Sequence, residues 1–547
     1  MYLEHVDIRG FRGINRLSIG LQQTTALIGE NAWGKTSLLR ALWCLLGQGE
    51  VPYQFAVDDF HHPAEPDRPA VTHLQIILTF SEYRPDMSSH SGRLSRLAAV
   101  WVRHRDGFHR IHYRAAAELT PQGEILSEHG FLDENGHELP LPEVKSTLHQ
   151  LMLMNPVLRL RDARATRTSD MDTGDGWEKT LDSFSSQLMD DESQIIDPSR
   201  LRTGVQAVQH LMAHYLNSVP PIKPRPRSAR DIVTKPANLR GLGDLHALLR
   251  SADHHAVQLA MAGLGAALLQ ARGDREIEAE ARPILILEDP ESRLHPTMLA
   301  LAWGLLEQLP GQKILTTNSG DLLASMPLGQ IRRLVRHSNE TRCYRLNDEQ
   351  LSSDDLRRIA FHVRINRPMS LFARCWLLVE GETEIWLLSE LAHISGINLR
   401  GEGIRIIEFA QCGTGPLIKA ARDFGIQWHL LADGDEAGSK YASGVRSQLR
   451  GDDERERLTL LPAKDIEHFL FHHGFDEVYR REAGNNRNNR NPWLSATKLI
   501  DRAISHRSKP GMALAIVEEA ERRGQEAIPL LLRQMFSKIL ALARSQG

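Results

Sequence analysis

The stretch that most constrains this chain is Leu27-Ile28-Gly29-Glu30-Asn31-Ala32-Trp33-Gly34-Lys35-Thr36-Ser37. The apolar run Thr25 to Ile28 stops at a glycine, and Leu38, Leu39, Ala41 and Leu42 then recur at helical spacing. The pattern is strand, loop, helix, with G-x-x-x-x-G-K-[ST] across the loop. In such a loop backbone N–H groups cradle phosphates, and the two glycines permit the tight path. Lys35 reaches the β- and γ-phosphates, and the Thr36 hydroxyl binds Mg²⁺ at a helix N-terminus. The expected ATP-binding set is Gly29, Asn31, Gly34, Lys35, Thr36 and Ser37, within an α/β fold.

Composition narrows the class. A length of 547 residues accommodates roughly two to four domains. Apolar content of 41% and charged content of 25% are those of a soluble globular protein. A net charge of −3 gives no global pull towards nucleic acid or anionic lipid, so any polyanion site has to be a local patch. Cys44, Cys343, Cys375 and Cys412 match neither a zinc spacing nor a disulfide framework, which predicts reduced thiols. Glu4 and Asp7 stand where a signal peptide needs an apolar core. No apolar run approaches the roughly 18 residues of a membrane span. A cytoplasmic protein is expected.

Upstream of the loop, Tyr2 to Gly10 reads as one strand and Leu17, Ile19 and Leu21 as a second, linked through Gly10-Phe11-Arg12-Gly13. Downstream, Ile284-Leu285-Ile286-Leu287 runs into Glu288-Asp289-Pro290-Glu291, and Lys313 to Leu315 into Thr316-Thr317-Asn318. Together these resemble the ATP-binding cassette heads of the RecF/SMC group. That resemblance implies that Glu288 holds Mg²⁺ through water and that Asp289 orients the attacking water. Three departures stand out. The acid pair is Glu-Asp, Asn318 occupies the switch-histidine position, and Leu249-Arg250-Ser251-Ala252-Asp253 is a degenerate signature motif. They predict ATP binding with slow turnover.

Residues 71–80 and 98–115 alternate like antiparallel strands, and residues from about 145 to 240 read as helix and irregular segments. Pro220 to Arg227, with Arg230, Lys235 and Arg240, is either a solvated linker or a DNA-phosphate contact. The resemblance implies that this insertion makes a dimer interface.

A helical, basic connector from Leu356 to Arg374 leads to Cys375-Trp376-Leu377-Leu378-Val379-Glu380-Gly381-Glu382-Thr383-Glu384. A helix starting after Gly381 puts Glu384 in its first turn, close to Glu380. Gln427 to Ala432 then delivers Asp433-Gly434-Asp435 at another strand end, where open α/β sheets place their sites. Two acid clusters at the ends of two apolar strands resemble the Toprim domain of topoisomerases, primases and some nucleases. Carboxylate clusters suit Mg²⁺ or Mn²⁺, and two such ions about 4 Å apart can act on a phosphodiester.

Asp465 and Glu467 fall on one face of an expected extended segment, and Lys509-Pro510 precedes an alanine-rich helix, Met512 to Ala520. A cassette ATPase fused to Toprim with these late motifs resembles the OLD (overcoming lysogenization defect) family of ATP-dependent endonucleases. The resemblance implies metal ligands at Glu380, Glu384, Asp433, Asp435, Asp465 and Glu467. It implies a catalytic lysine at Lys509, with Lys498 and Arg507 as neighbouring alternatives. Arg480 to Arg490 is a flexible loop or a DNA-contacting arm, and His61, His62, His472 and His473 are expected at the surface. The tyrosines a topoisomerase-type transesterase needs reduce to Tyr441 and Tyr479.

The expected architecture is an ABC-type P-loop ATPase head with a largely helical insertion, followed by a Rossmann-like Toprim domain. The expected partition is 1–145 for the first ATPase lobe, 146–240 for the insertion, 241–365 for the second lobe and 366–547 for the nuclease domain. The expected function is an ATP-binding, metal-dependent DNA endonuclease, working as a homodimer with two ions in the Toprim site and one with ATP. The alternative is a RecF/SMC-like DNA clamp or sensor with a non-catalytic Toprim module.

Overall fold

The computed structural model describes residues 1–47, 51–62, 71–160, 281–292 and 311–546, apart from 91, 93 and 485–494, together with 299, 303, 304, 306 and 307. The signature candidate Leu249 to Asp253, the Pro/Arg stretch from Pro220, the insertion beyond residue 160 and most of the Arg480 to Arg490 tract lie outside the described residues. The chain forms two units, Met1–Tyr344 and Arg345–Gly547.

The first unit holds two six-stranded sheets. One is antiparallel: β1 (Tyr2–Phe11), β2 (Ile14–Gly20), β4 (His73–Ser81), β5 (Val102–Arg103), β6 (His109–Leu119) and β7 (Ile125–Leu132). Its order is β2-β1-β4-β6-β5, with β7 on β6. Residues 94–100 are a short 3-10 segment and β6 starts only at His109, so the strand expected over 98–115 is interrupted. Arg12 bonds the buried carboxylate of Asp59, and His61, expected at the surface, is buried with Nδ1 on the Arg12 carbonyl.

The other sheet runs β12-β11-β3-β10-β9-β8. Its strands are β3 (Thr24–Ile28), β8 (Val157–Leu160), β9 (Ile284–Glu288), β10 (Gln312–Thr316), β11 (Ile331–Arg336) and β12 (Thr341–Tyr344). Every pairing is parallel except β11 with β12. Strand β3 is buried along its whole length, as a parallel strand covered on both faces must be. Helix α1 (Lys35–Leu46) buries Leu38, Leu39, Leu42, Leu45 and Leu46, and one apolar core joins it to both sheets. Helix α2 (Val144–Met154) adds Leu148, Leu151 and Met154 to that core.

The second unit opens with α3 (Ser353–Ile359) and two further helical turns through Phe372. Its sheet is fully parallel, in the order β14-β13-β15-β16: β13 (Cys375–Val379), β14 (Ile404–Glu408), β15 (Gln427–Ala432) and β16 (Leu458–Leu460). Helices α4 (Glu382–Ile394), α5 (Thr414–Asp423) and α6 (Glu436–Arg446) connect these strands. Then follow α7 (Ile466–Leu470), α8 (Asp476–Glu482), α9 (Ala496–Arg507), α10 (Lys509–Arg523) and α11 (Leu530–Arg544), which share an apolar core with α4 and β13. Because the connection leaving β13 runs to β14 and the one leaving β15 runs the other way to β16, the sheet has its switch point between β13 and β15. Among the described residues, no helix is long and apolar enough to cross a membrane.

Candidate functional site

Two sets of polar side chains gather at strand ends, one in each unit. In the first unit the loop after β3 turns through Gly29 (φ 143°) and Gly34 (φ 92°), backbone that favours glycine. A Cβ on Gly29 falls 2.6 Å from the Leu334 carbonyl oxygen. Lys35 is only 4% exposed, and its ammonium donates to the carbonyls of Gly29 and, at 3.1 Å, Glu30. Burial lowers its pKa, while Asp289, Glu30 and Glu291, in that order, act against this. Asn31 and Thr36 are exposed, and Ser37 Oγ accepts from the Gly13 N–H at 3.2 Å. Trp33 is buried, with the Arg333 guanidinium 5.6 Å from its ring centre.

The acids after β9 face different partners. Glu288 forms an ion pair with Arg159 of β8. Asp289 has a positive φ of 42°, and its Oδ1 accepts from Thr316 Oγ1 at 3.0 Å. Glu291, which the sequence reading left without a role, accepts from Thr317 Oγ1 and from the backbone N–H of Asn318. Asn318, which stands at the switch-histidine position of the cassette pattern, therefore meets a carboxylate through its main chain.

In the second unit Glu380 ends β13 and Asp433 ends β15, on either side of the switch point. Glu384 stands in the first turn of α4, as expected, and its carboxylate accepts the Gly381 N–H. Asp435 caps α6, accepting from Gly438 N at 2.7 Å. The loop between these acids lies tight on its neighbours. A Cβ on Gly434 falls 2.4 Å from the Ala463 carbonyl oxygen, and one on Gly438 falls 1.9 Å from that of Asp433.

Asp465 and Glu467 do not lie on an extended segment. Asp465 is the N-cap of α7, its Oδ1 accepting from His468 N at 2.8 Å and facing His468 Nδ1 at 2.6 Å. A capping aspartate followed by Ile466, Phe469 and Leu470 buried at helical spacing starts a helix here. Of the three basic candidates, Lys509 reaches the acids, with Nζ 2.9 Å from Glu467 Oε1. Arg507 pairs with Glu482, and Lys498 is exposed on α9. Lys509 opens α10 directly after Ser508, whose φ of 66° and ψ of 164° lie where non-glycine residues are strained.

The acids feel one another. Burial, then Glu384, Glu380, Asp465 and Glu467, push the Asp433 carboxyl up to about 8. Burial, with Glu380 and Glu467, pushes Glu384 up to about 7, despite the Gly381 bond and Lys509. Burial and Asp435 also raise Glu380. Among the described residues no three such side chains form a ready-made metal cage. The reason is visible: Glu384, Asp435 and Asp465 serve as helix caps, and Glu467 holds Lys509. The donors are nonetheless all carboxylate oxygens, six acids beside Lys509 and His468, the donor chemistry a hard divalent cation fits. His468 and Tyr479 were not singled out as parts of this site. Tyr479 is fully buried, so it is in no position to attack a phosphodiester, and Tyr441 packs its ring 4.8 Å from that of Phe409.

Comparison with known proteins also divides the chain, with its boundary after residue 370, inside the second unit. Residues 1–370 match the family described as "Protein of unknown function (DUF2813)", and residues 371–435 match the "Overcoming lysogenization defect protein-like, TOPRIM domain". The chain is 44% identical to the uncharacterized protein YbjD of Escherichia coli (strain K12), over 100% of both chains. Among solved structures, the C-terminal region of the Burkholderia pseudomallei OLD protein is similar at 20% identity. That match covers 31% of this chain and 99% of the other, with a TM-score of 0.27. An SMC head bound to the C-winged helix domain of ScpA is similar at 11% identity over 64% of this chain and 99% of its own, with a TM-score of 0.34. The chain therefore belongs to the DUF2813 family of proteins of unknown function and carries an OLD-like Toprim domain behind its P-loop unit.

Proposed function

We propose that this protein is an ATP-binding, divalent-metal-dependent DNA endonuclease, with the nucleotide as regulator. The observation that carries this reading is the convergence of Glu380, Glu384, Asp433, Asp435, Asp465 and Glu467 with Lys509 around the switch point of the second unit. These carboxylates would hold Mg²⁺ or Mn²⁺, two ions by analogy with other carboxylate sites, which would supply Lewis-acid activation of a water and charge neutralisation at a phosphodiester. The chain's own part is then defined. Burial and mutual repulsion raise the Asp433 and Glu384 carboxyls, so a bound cation would favour their ionised forms. Lys509, freed from Glu467, steadies charge on the phosphate.

In the first unit, Lys35 exchanges the carbonyls of Gly29 and Glu30 for nucleotide phosphates, and the exposed Thr36 hydroxyl is available to Mg²⁺. Asp289 is the better-placed acid for acting near Lys35, since Glu288 is committed to Arg159. With Asn318 in place of a histidine, turnover is slow. The expected boundaries at 145 and 365 need moving, because β8 pairs with β9 in the head's parallel sheet and the second unit starts at Arg345. The ATPase head thus includes residues 1–160 and 281–344, a dimerising insertion starts beyond residue 160, and the nuclease domain lies within Arg345–Gly547, in a cytoplasmic homodimer acting on DNA.

A second reading, a RecF/SMC-like clamp whose Toprim module binds DNA without cutting, is favoured by the absence of a ready-made cage among the described residues. Supercoiled plasmid incubated with Mg²⁺ or Mn²⁺, with and without ATP, separates the two. Nicking by the wild type that is lost in Glu380→Ala supports the nuclease. Equal residual nicking by both proteins sinks it and leaves the clamp.

A further inference from the structure

Tyr479 is completely buried, yet its hydroxyl has no hydrogen-bond partner. An unpaired buried hydroxyl is destabilising, so phenylalanine serves this position better if packing is all it requires. The surroundings point to a partner. Tyr479 lies on α8, which packs against α10 and against the turn Phe471–Phe475 that continues α7. Its ring centre is 5.7 Å from that of Phe471. Phe471 keeps helical backbone (φ −55°, ψ −47°) one turn after Glu467, so the two share a helix face. Burial, then the charges of Glu467 and Asp465, raise the pKa of the phenol, which places both carboxylates within its electrostatic reach. Glu467 Oε1 is meanwhile taken by Lys509.

We propose that Tyr479 is a positioning residue for Glu467, its hydroxyl donating to the Glu467 carboxylate once that carboxylate leaves Lys509 to take up a divalent cation. The inference rests on the cation-binding reading of the carboxylate cluster. In the cation-free protein Lys509 supplies the counter-charge for Glu467 and the phenol stays unpaired. After the exchange the phenol restrains the carboxylate, and the ammonium is released towards its phosphate-binding role.

The test is a Mn²⁺ titration of the full chain, read as melting temperature in chelator-treated buffer. The proteins are wild type, Tyr479→Phe, Glu467→Gln and the double variant. Tyr479→Phe should melt at or above the wild-type temperature without metal, since the deleted hydroxyl had no partner. It should need on the order of 10-fold more Mn²⁺ for half of its stabilisation, as for other outer partners of metal ligands. The double variant should shift no further than Glu467→Gln alone, because the two residues act through one carboxylate. A Tyr479→Phe titration that overlays the wild type overturns the role of Tyr479 and leaves the cation site standing. A lower metal-free melting temperature overturns it too, because the hydroxyl then already had a partner. A wild type that does not respond to Mn²⁺ overturns the cation reading itself, and this inference with it.

Discussion

The two units use one device to opposite electrostatic ends. Each has a parallel sheet whose strands deliver charged side chains at their C-terminal ends, where helices begin. In the first unit the charges are satisfied within the chain. Lys35 rests on loop carbonyls, Glu288 on Arg159, Asp289 on Thr316, and Glu291 on Thr317 and Asn318. In the second, the carboxylates around Asp433 crowd one another with Lys509 as their nearby cation. A site of the first kind waits for a ligand that exchanges existing bonds. A site of the second kind is held in tension until positive charge arrives. The difference explains how a chain with no global pull on polyanions can still contain a strong local demand for cations.

The largest expected effect tests whether the two sites are separable. Lys35→Ala should abolish ATP binding, measured with a fluorescent nucleotide, while leaving the Mn²⁺-dependent melting shift intact. Glu380→Ala should do the reverse and lower metal-dependent nicking by more than about 100-fold, beyond the usual loss of an outer partner. If either variant impairs both readouts equally, the division fails.

Next in size is a backbone effect. Gly438→Ala puts a Cβ 1.9 Å from the Asp433 carbonyl oxygen, and should cost about 3 kcal/mol in urea unfolding, the upper range for overpacking. Gly34→Ala meets the Ile14 side chain at 2.9 Å instead, and should cost less, about 1–2 kcal/mol, through its positive φ. Equal costs would remove the contrast between rigid and yielding surroundings.

A smaller change comes from relieving the crowding. Asp433→Asn should raise metal-free stability by about 1 kcal/mol while erasing the response to Mn²⁺. The same tension sets a pH dependence. Burial and neighbouring acids push Asp433 up to about 8, and chiefly burial pushes Glu384 up to about 7, so the folded chain binds protons that the unfolded chain has already lost. The contribution of this pair to metal-free stability therefore falls as pH rises from about 4 to about 8, and the difference between wild type and Asp433→Asn isolates it from the buried His112 and His429, which act in the opposite sense. Lys35 works the other way. Burial lowers its pKa from 10.5, so its contribution to stability grows as pH rises towards that value. A metal-free stability profile that is flat below pH 8, and unchanged in Asp433→Asn, contradicts the crowding. Smallest of all, Ser508→Gly should stabilise by about 1 kcal/mol by relieving its positive φ, less a few tenths for the lost cap.

Much of this was legible because strands covered on both faces announce themselves. Thr24–Ile28, residues 284–287 and Cys375–Val379 are unbroken apolar or β-branched runs that end at a glycine or an acid, and Gln427–Ala432 is a mainly apolar one that His429 interrupts. Asp465 and Glu467 were misread as extended because α7 spans only Ile466–Leu470, too short for its period to show. The partner choices were not legible at all. Nothing in the order of residues tells that Glu288 meets Arg159, that Glu291 meets the Asn318 amide, or that Tyr479 sits enclosed with an unpaired hydroxyl. Such pairings are set by how distant segments pack.

The bond between Gly13 and Ser37 joins the phosphate loop to the opposite sheet. The turn that Gly13 belongs to also carries Arg12, anchored to Asp59. The Ser37 hydroxyl accepts here and keeps its own proton to donate, so a ligand that takes that proton leaves the tether in place, whereas one that competes for its lone pairs loosens the turn. One exposed hydrogen bond thus couples the first turn of the chain to the chemistry of a single hydroxyl in the phosphate loop.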